Sequence, residues 1–219
     1  KVITPGKTTT TDVVWWLRQQ VHNRAIDSWF QPSVSVQRRG EEIRGEVVIE
    51  RGDLLHTDFG IVALGLCNDT QHMGYVLREG EKDVPKGIKE ALAVGNRLQD
   101  IVMENMQPGL TGNQVLAASL ARMIREGIEG RVYCHPIGDY GHGPGAIIGL
   151  WDRQEGVPGK GDVEPIPNML HSIELYAMAN IPQWDDQPVR IALEEDAAMN
   201  ADGEMEWILK RQNEYHLVK

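Results

Sequence analysis

Five segments of the sequence hold acidic or imidazole side chains where an apolar pattern would not call for them. Asp58 lies in Gly52-Asp53-Leu54-Leu55-His56-Thr57-Asp58-Phe59-Gly60-Ile61, and Asp69 follows eleven residues later in Asn68-Asp69-Thr70. A hairpin would bring the two carboxylates together, and side by side they repel unless they share a proton or a cation. His142 sits in Tyr140-Gly141-His142-Gly143-Pro144-Gly145, where small residues let backbone approach an imidazole closely. Glu174 interrupts the apolar run His171-Ser172-Ile173-Glu174-Leu175, and Glu194-Glu195-Asp196 follows Val189-Arg190-Ile191-Ala192-Leu193. Taken singly, each of these is a turn or ion-pair residue. Together, four carboxylates and one imidazole form an oxygen-rich, nitrogen-poor donor set, which suits two hard or borderline divalent ions such as manganese better than one structural zinc.

The elements that must position these residues follow from apolar periodicity. Helices are expected over about 12–27, 86–106 and 112–126, the second with Ile88, Ala91, Leu92, Leu98, Val102 and Met106 on one side. Strands are expected over 46–50, 54–61, 70–77, 146–151, 170–178, 189–193 and 205–209. Helices and strands do not alternate regularly, so the expected class is α+β with a large antiparallel sheet rather than a doubly wound sheet. An internal echo supports a duplicated unit. Pro5-Gly6-Lys7-Thr8 with Val13, Val21, Ile26 and Asp27 is matched by Pro108-Gly109-Leu110-Thr111 with Val115, Met123, Ile128 and Glu129, the later positions at a constant offset of 102 residues. The stretch 141–161 holds seven glycines but neither Gly-x-Gly-x-x-Gly nor a phosphate-loop ending.

Composition narrows the remaining choices. The chain has 219 residues, 41% hydrophobic and 25% charged, so a globular domain is expected over 1–219. With 22 basic and 32 acidic residues the net charge is −10, and no basic tract is available for nucleic acid. No apolar run reaches the ~20 residues that span a bilayer. Cys67 and Cys134 do not make a disulfide framework. The abrupt opening at Lys1 reads as the C-terminal part of a longer chain, and a cytoplasmic or periplasmic location is equally compatible with it. Trp15 and Trp16 on the first helix are either core or a subunit anchor, which leaves homo-oligomerisation open. Asn68-Asp69-Thr70 matches a glycosylation sequon, but a glycan there would sit on the proposed ligands.

The order Asp-x-Gly, an Asp eleven residues on, Gly-His-Gly-x-Gly, Ser-Ile-Glu and a terminal Glu-Asp pair resembles the M24 metallopeptidases of the pita-bread fold. That family includes methionine aminopeptidase, prolidase and Xaa-Pro aminopeptidase. Leu-Leu-His-Thr-Asp-Phe-Gly-Ile, Gly-Asn-x-Val-Leu and Leu-Glu-Glu-Asp look most like bacterial Xaa-Pro aminopeptidase-like proteins, over a span from about Thr4 to the C-terminus. The resemblance implies two pseudo-symmetric halves with a curved antiparallel sheet covered by helices. It also implies two divalent metal ions, manganese foremost, with cobalt, zinc or iron as alternatives. Asp58 would chelate one ion, His142 and Glu174 the other, and Asp69 and Glu195 both. Glu174 would also shuttle the proton. The substrate implied is a peptide with proline in second position.

Glu195 is selected over Glu194 on two grounds. It shares strand parity with Ile191, Leu193 and Ala197, an apolar row expected to face the interior, and in the family the ligand Glu directly precedes Asp. Departures concern the substrate pocket. Gly149 stands where a second active-site His is usual, no upstream His is evident around 31–39, Leu175-Tyr176 replace Pro-Gly, and Arg190 lies five residues before Glu195 instead of two. His135 either supplies the missing imidazole or is a turn residue before Pro136. Two rival functions remain: a prolidase, whose dipeptide carboxylate Arg38 and Arg39 would have to meet, and a pita-bread scaffold that binds peptides or proteins without hydrolysis.

Overall fold

The computed structural model describes residues 2–219. In chain order the elements are α1 (Thr10–Asn23), β1 (Asp27–Ser28), β2 (Ser33–Gln37), β3 (Leu54–Phe59), β4 (Ile61–Ala63), β5 (Leu66–Cys67), β6 (Thr70–Val76), α2 (Lys86–Asn105), α3 (Gly112–Arg125), β7 (Glu129–Val132), β8 (His135–Ile137), β9 (Leu170–Ile181), β10 (Gln187–Met199), β11 (Met205–Trp207) and β12 (His216–Val218). The class is α+β. One sheet runs β2-β3-β6-β10-β9-β7, with β8 joined to β9, β11 to β10 and β12 to β6, and a small sheet is ordered β1-β4-β5. All pairings are antiparallel except β12 with β6.

The sequence echo is an echo of helix construction. α1 and α3 each have 14 residues and start 102 positions apart. Both open with a capping box, Thr9 with Asp12 and Thr111 with Gln114, in which each side chain satisfies the other residue's free backbone N–H. Both end before a left-handed residue, Ala25 and Gly127, again 102 apart. β1 and β7 then begin at Asp27 and Glu129 with the same offset.

The β9–β10 ribbon divides the molecule. Its odd-numbered residues Ile173, Leu175, Ala177, Ile181, Val189, Ile191, Leu193 and Ala197 are buried against the apolar stripe of α2 (Ile88, Ala91, Leu92, Leu98, Ile101 and Val102). Burying each such aliphatic side chain fully is worth about 1.5–3 kcal/mol. Gly95 sits at the closest approach, where an added β-carbon would meet Ile191 and Leu193 at 2.9 Å. The even-numbered face carries Glu174, Tyr176, Met178, Arg190 and Glu194 along a cleft of about 1020 Å³. An antiparallel sheet with one packed and one wetted face has this two-row character.

Two expected strands are not strands. Residues 46–50 and 146–151 contribute only isolated bridges, Thr9 with Val48, Cys134 with Ile148 and Leu150 with Arg153. Strands β7 and β8 were not expected, because Gly130 and Pro136 carry low strand propensity. Gly130 is there because a β-carbon would overlap the Tyr176 carbonyl. Among the described residues no helix is long and apolar enough to cross a membrane.

Candidate metal centre

The carboxylates converge where β3, β6, β9 and β10 run side by side. Glu174 and Glu194 are direct cross-strand neighbours, Gln71 lies opposite Glu194, and Asp58 lies opposite Gln71. The β4–β5 hairpin fills the interval between Asp58 and Asp69, so the expected hairpin is present. Ligand atoms of three sets fall within 4.8 Å of one another: Asp58, Asp69 and Glu194; His135, Glu174 and Glu194; and Asp69, His135 and His142.

The surrounding donors account for only part of this charge. The Gln71 amide donates to Glu174 at 2.6 Å and to Glu194 at 2.7 Å, and its oxygen faces His56 Nε2 at 2.9 Å. The Ser172 hydroxyl donates to Glu194 Oε1 at 2.7 Å. The backbone N–H of Asp69 donates to Asp196 at 3.3 Å. Asp69 Oδ1 is buried without a hydrogen-bond partner. Burial, then repulsion from Glu194, raises Asp69 far above the usual carboxylate range, and burial also raises Glu194. Glu174 is pushed up to about 9 by burial and then by Glu194, Asp196 to about 7 and Asp58 to about 6, both chiefly by burial. A buried carboxylate oxygen with no donor, inside a group of acids that raise one another's pKa, fits a bound cation. The residues fit divalent ions.

Glu195 does not belong to this group. Its carboxylate points to the helix side, accepting from Gln99 Nε2 at 2.6 Å and from the Gln212 backbone N–H at 2.7 Å, with His72 Nε2 at 3.6 Å. Glu194 is the glutamate in the cleft. The apolar row does face the interior, as expected, but the acidic cluster lies on the opposite, polar row. The interior of the domain and the interior of the site are on different faces of one ribbon. Parity with the apolar row thus selects the glutamate that faces Gln99 and Gln212, not the one that faces the acidic cluster.

His135 is no simple turn residue. It is buried on β8, its Nε2 lies 3.2 Å from Glu194 Oε1 and 3.7 Å from Asp69 Oδ2, and its ring centroid is 4.4 Å from that of His142. Arg38 and Arg39 are elsewhere, Arg38 held by Asp53 at 2.7 and 2.9 Å and Arg39 by Asp185 at 2.7 Å. The cations that line the cleft are Arg131 and Arg190. Trp15 and Trp16 are 58% and 41% exposed, so the core reading of that pair does not hold.

Trp29 escaped the sequence reading. Its Nε1 donates to the Asn68 carbonyl at 2.9 Å, and its ring meets His142 edge-on with centroids 5.2 Å apart. A β-carbon at Gly60 or at Gly141 would overlap this indole. The glycines beside Asp58 and His142 thus serve a shared tryptophan, and the signal was an aromatic pair, Trp29-Phe30, outside any helix or strand pattern. Gln71 left a fainter trace, a buried amide on β6 ahead of Met73, Tyr75 and Val76.

The model of metallopeptidase family M24 matches residues 1–201. Among solved structures, the X-Pro aminopeptidase from Thermotoga maritima MSB8 is 18% identical with a TM-score of 0.71, covering 96% of this chain and 56% of that one. A recombinant prolidase from Thermococcus sibiricus is 16% identical, TM-score 0.68, covering 100% and 55%. The methionine aminopeptidase from Thermotoga maritima is 21% identical, TM-score 0.64, covering 96% and 88%. At such identities the likeness is one of fold, the pita-bread fold, and this chain spans little more than half the length of the first two. A search of curated proteins returns no match. With the family model running through Asp58, Asp69, His142, Glu174 and Glu194 on this fold, the chain belongs to metallopeptidase family M24.

Proposed function

We propose that this domain is a dinuclear metallo-exopeptidase that hydrolyses the bond between an N-terminal residue and a following proline. The observation that carries the reading is the convergence of Asp58, Asp69, Glu174, Glu194, His135 and His142 at one cleft, with a buried Asp69 oxygen lacking any donor. Asp58, Asp69 and Glu194 would hold one ion, and His135, with Glu174 and Glu194 on one side and Asp69 and His142 on the other, would mark the second. Bound cations supply an acidified water and polarise the scissile carbonyl. Glu174 would take the proton from the attacking water and return it to the leaving amine, and the Gln71 amide, donating at 2.6 Å, orients its carboxylate. Trp29, Phe30, Tyr133, Tyr176 and Trp151 offer flat apolar walls suited to a pyrrolidine ring.

Arg190 supports a second reading, cleavage of dipeptides. Its guanidinium stacks 4.4 Å above the Tyr176 ring and donates to the Tyr133 hydroxyl at 2.9 Å. It stands four residues before Glu194 on the same row, about 13 Å along the strand. An Arg side chain reaching back from there could meet the carboxylate of a two-residue substrate. Hydrolysis of matched Xaa-Pro dipeptides and longer Xaa-Pro peptides after manganese loading, with metal content measured alongside, tests both. Two bound ions with no cleavage of any member would leave a binding scaffold instead.

A further inference from the structure

The acids of the cluster come from two half-sheets joined in the strand ladder at a single residue pair. Asp58 lies on β3 and Asp69 just before β6, whereas Glu174 and Glu194 lie on β9 and β10. β6 and β10 pair only at Gln71 with Glu194 and then separate. Continued antiparallel pairing would set Met73 against Ala192 and Tyr75 against Arg190. Tyr75 is instead paired with Leu217 of β12. Resting on the dinuclear reading above, we infer that Gln212 and Gln37 are positioning residues. Their side-chain amides pair with the two separating strand edges and fix the spacing between the acids of the two halves before any ion binds.

Each amide stands in for a strand residue. On β6, the Met73 N–H donates to Gln212 Oε1 at 2.7 Å, and Gln212 Nε2 donates to the Met73 carbonyl at 2.7 Å. On β10, the Arg190 N–H donates to Gln37 Oε1 at 2.8 Å, and Gln37 Nε2 donates to the Arg190 carbonyl at 2.8 Å. A primary amide suits this place because it offers a donor and an acceptor side by side, as the backbone does. Met73 is fully buried, so backbone groups left unpaired there would be costly.

The two amides approach from opposite faces. Gln37 shares its strand face with Ser33 and Ser35, which line the cleft. Gln212 lies on the helix side, where its N–H donates to Glu195 Oε1 at 2.7 Å and its carbonyl accepts from Asn96 Nδ2 at 2.9 Å. Gln212 thus holds β6 two residues from Gln71 and β10 one residue from Glu194. On the Gln37 side Gln187 repeats the device, donating to the Arg38 carbonyl at 3.1 Å and accepting from the Gly40 N–H at 2.7 Å. Gln37 therefore shares its role, and Gln212 should matter more.

The experiment is manganese titration of the metal-free chain and of Gln212→Met, Gln37→Met and Tyr215→Phe, each at a temperature where circular dichroism shows it folded. Methionine keeps the length of glutamine and removes both bonding groups. Tyr215→Phe is the control for plain destabilisation, since it loses the bond from the Tyr215 hydroxyl to the Ile88 carbonyl on the same C-terminal segment. We expect manganese binding to weaken at least about tenfold in Gln212→Met and at least about threefold in Gln37→Met, as when supports of metal ligands are removed. Tyr215→Phe should lower Tm and change manganese affinity less than about twofold. Gln37 is only half-buried, so its variant decides the matter where Gln212→Met does not fold. Manganese affinity unchanged in the folded glutamine variants, or lowered in all three variants in proportion to Tm, would overturn the inference and leave the dinuclear reading standing. A parent chain that binds no manganese would overturn both.

Discussion

Glu194 and Glu195 are chain neighbours of identical type, 1% and 4% exposed, yet they live in opposite environments. Glu194 turns into the cleft among Asp58, Asp69 and Glu174. Glu195 turns under α2, where Gln99, the Gln212 N–H and Arg211 lower its pKa against the raising effect of burial. Burial alone raises both acids. What separates them is the company each keeps: acids that repel on one face, amides that donate on the other. A buried carboxylate is a candidate ligand only where its neighbours leave its charge unanswered.

The sharpest way to break this contrast is to neutralise each glutamate in turn. Glu194→Gln should remove at least one ion per chain by elemental analysis and lower kcat by at least about 10²-fold, because one carboxylate shared by two donor sets is gone. Glu174→Gln should lower kcat by a similar factor of at least about 10²-fold, the loss of a general base, with metal content less affected. If Glu195→Gln empties the site instead, the assignment of faces is wrong.

Acidity sharpens the contrast further. Asp69, Glu174, Glu194 and Asp196 all have folded-state pKa values above their unfolded ones. Their contribution to the metal-free fold is fully present below the unfolded values near 4 and is lost as pH rises through the folded ones. The metal-free chain should therefore melt progressively lower from about pH 5 to pH 9, and manganese should raise Tm more at pH 8 than at pH 5. A Tm increment independent of pH would mean that the acids are neutralised by something other than cations.

Smaller effects probe the ends of the ribbon. Arg190→Gln should raise KM for Xaa-Pro dipeptides about tenfold, the value of a charge-assisted hydrogen bond, while KM for longer peptides changes less than about twofold. Equal changes for both would remove the dipeptide reading. Glu195→Gln should keep both ions and most activity but weaken hydrogen bonds to Gln99 and Gln212. The cost is about 1–2 kcal/mol, or about 2–8 °C in Tm by calorimetry.

Much of this was legible in the sequence, for identifiable reasons. The stripe of α2 is buried as read, because a helix of this length with one apolar face packs it against the sheet and against Val115, Leu116 and Met123 of α3. Asp58 and Glu174 stood out because charge in an apolar strand needs a partner, Asp69 as the carboxylate a hairpin would bring to Asp58, and His142 by the glycines around it. The choice between Glu194 and Glu195 was not legible. Alternation says that two neighbours face opposite ways, but a ribbon with a core on one side and a cleft on the other buries both. His135 stood between two readings because Pro136 reads as a turn until β8 is seen paired to β9. Trp29 lay in a segment with no period at all, and its role depends on two glycines about 30 and 110 residues away, which no local pattern can connect.

Those two glycines have a genetic consequence. Gly60, Gly141 and Trp29 occupy one volume, so an alanine at either glycine must displace the indole that braces His142. A smaller side chain at position 29 would relieve the overlap but leave the Asn68 carbonyl without its donor and the imidazole without its wall. Drift at the three positions is therefore correlated by shape. Gly60→Ala should be poorly tolerated with Trp29 in place and better tolerated with a small residue there, so the three sites would be inherited as a unit.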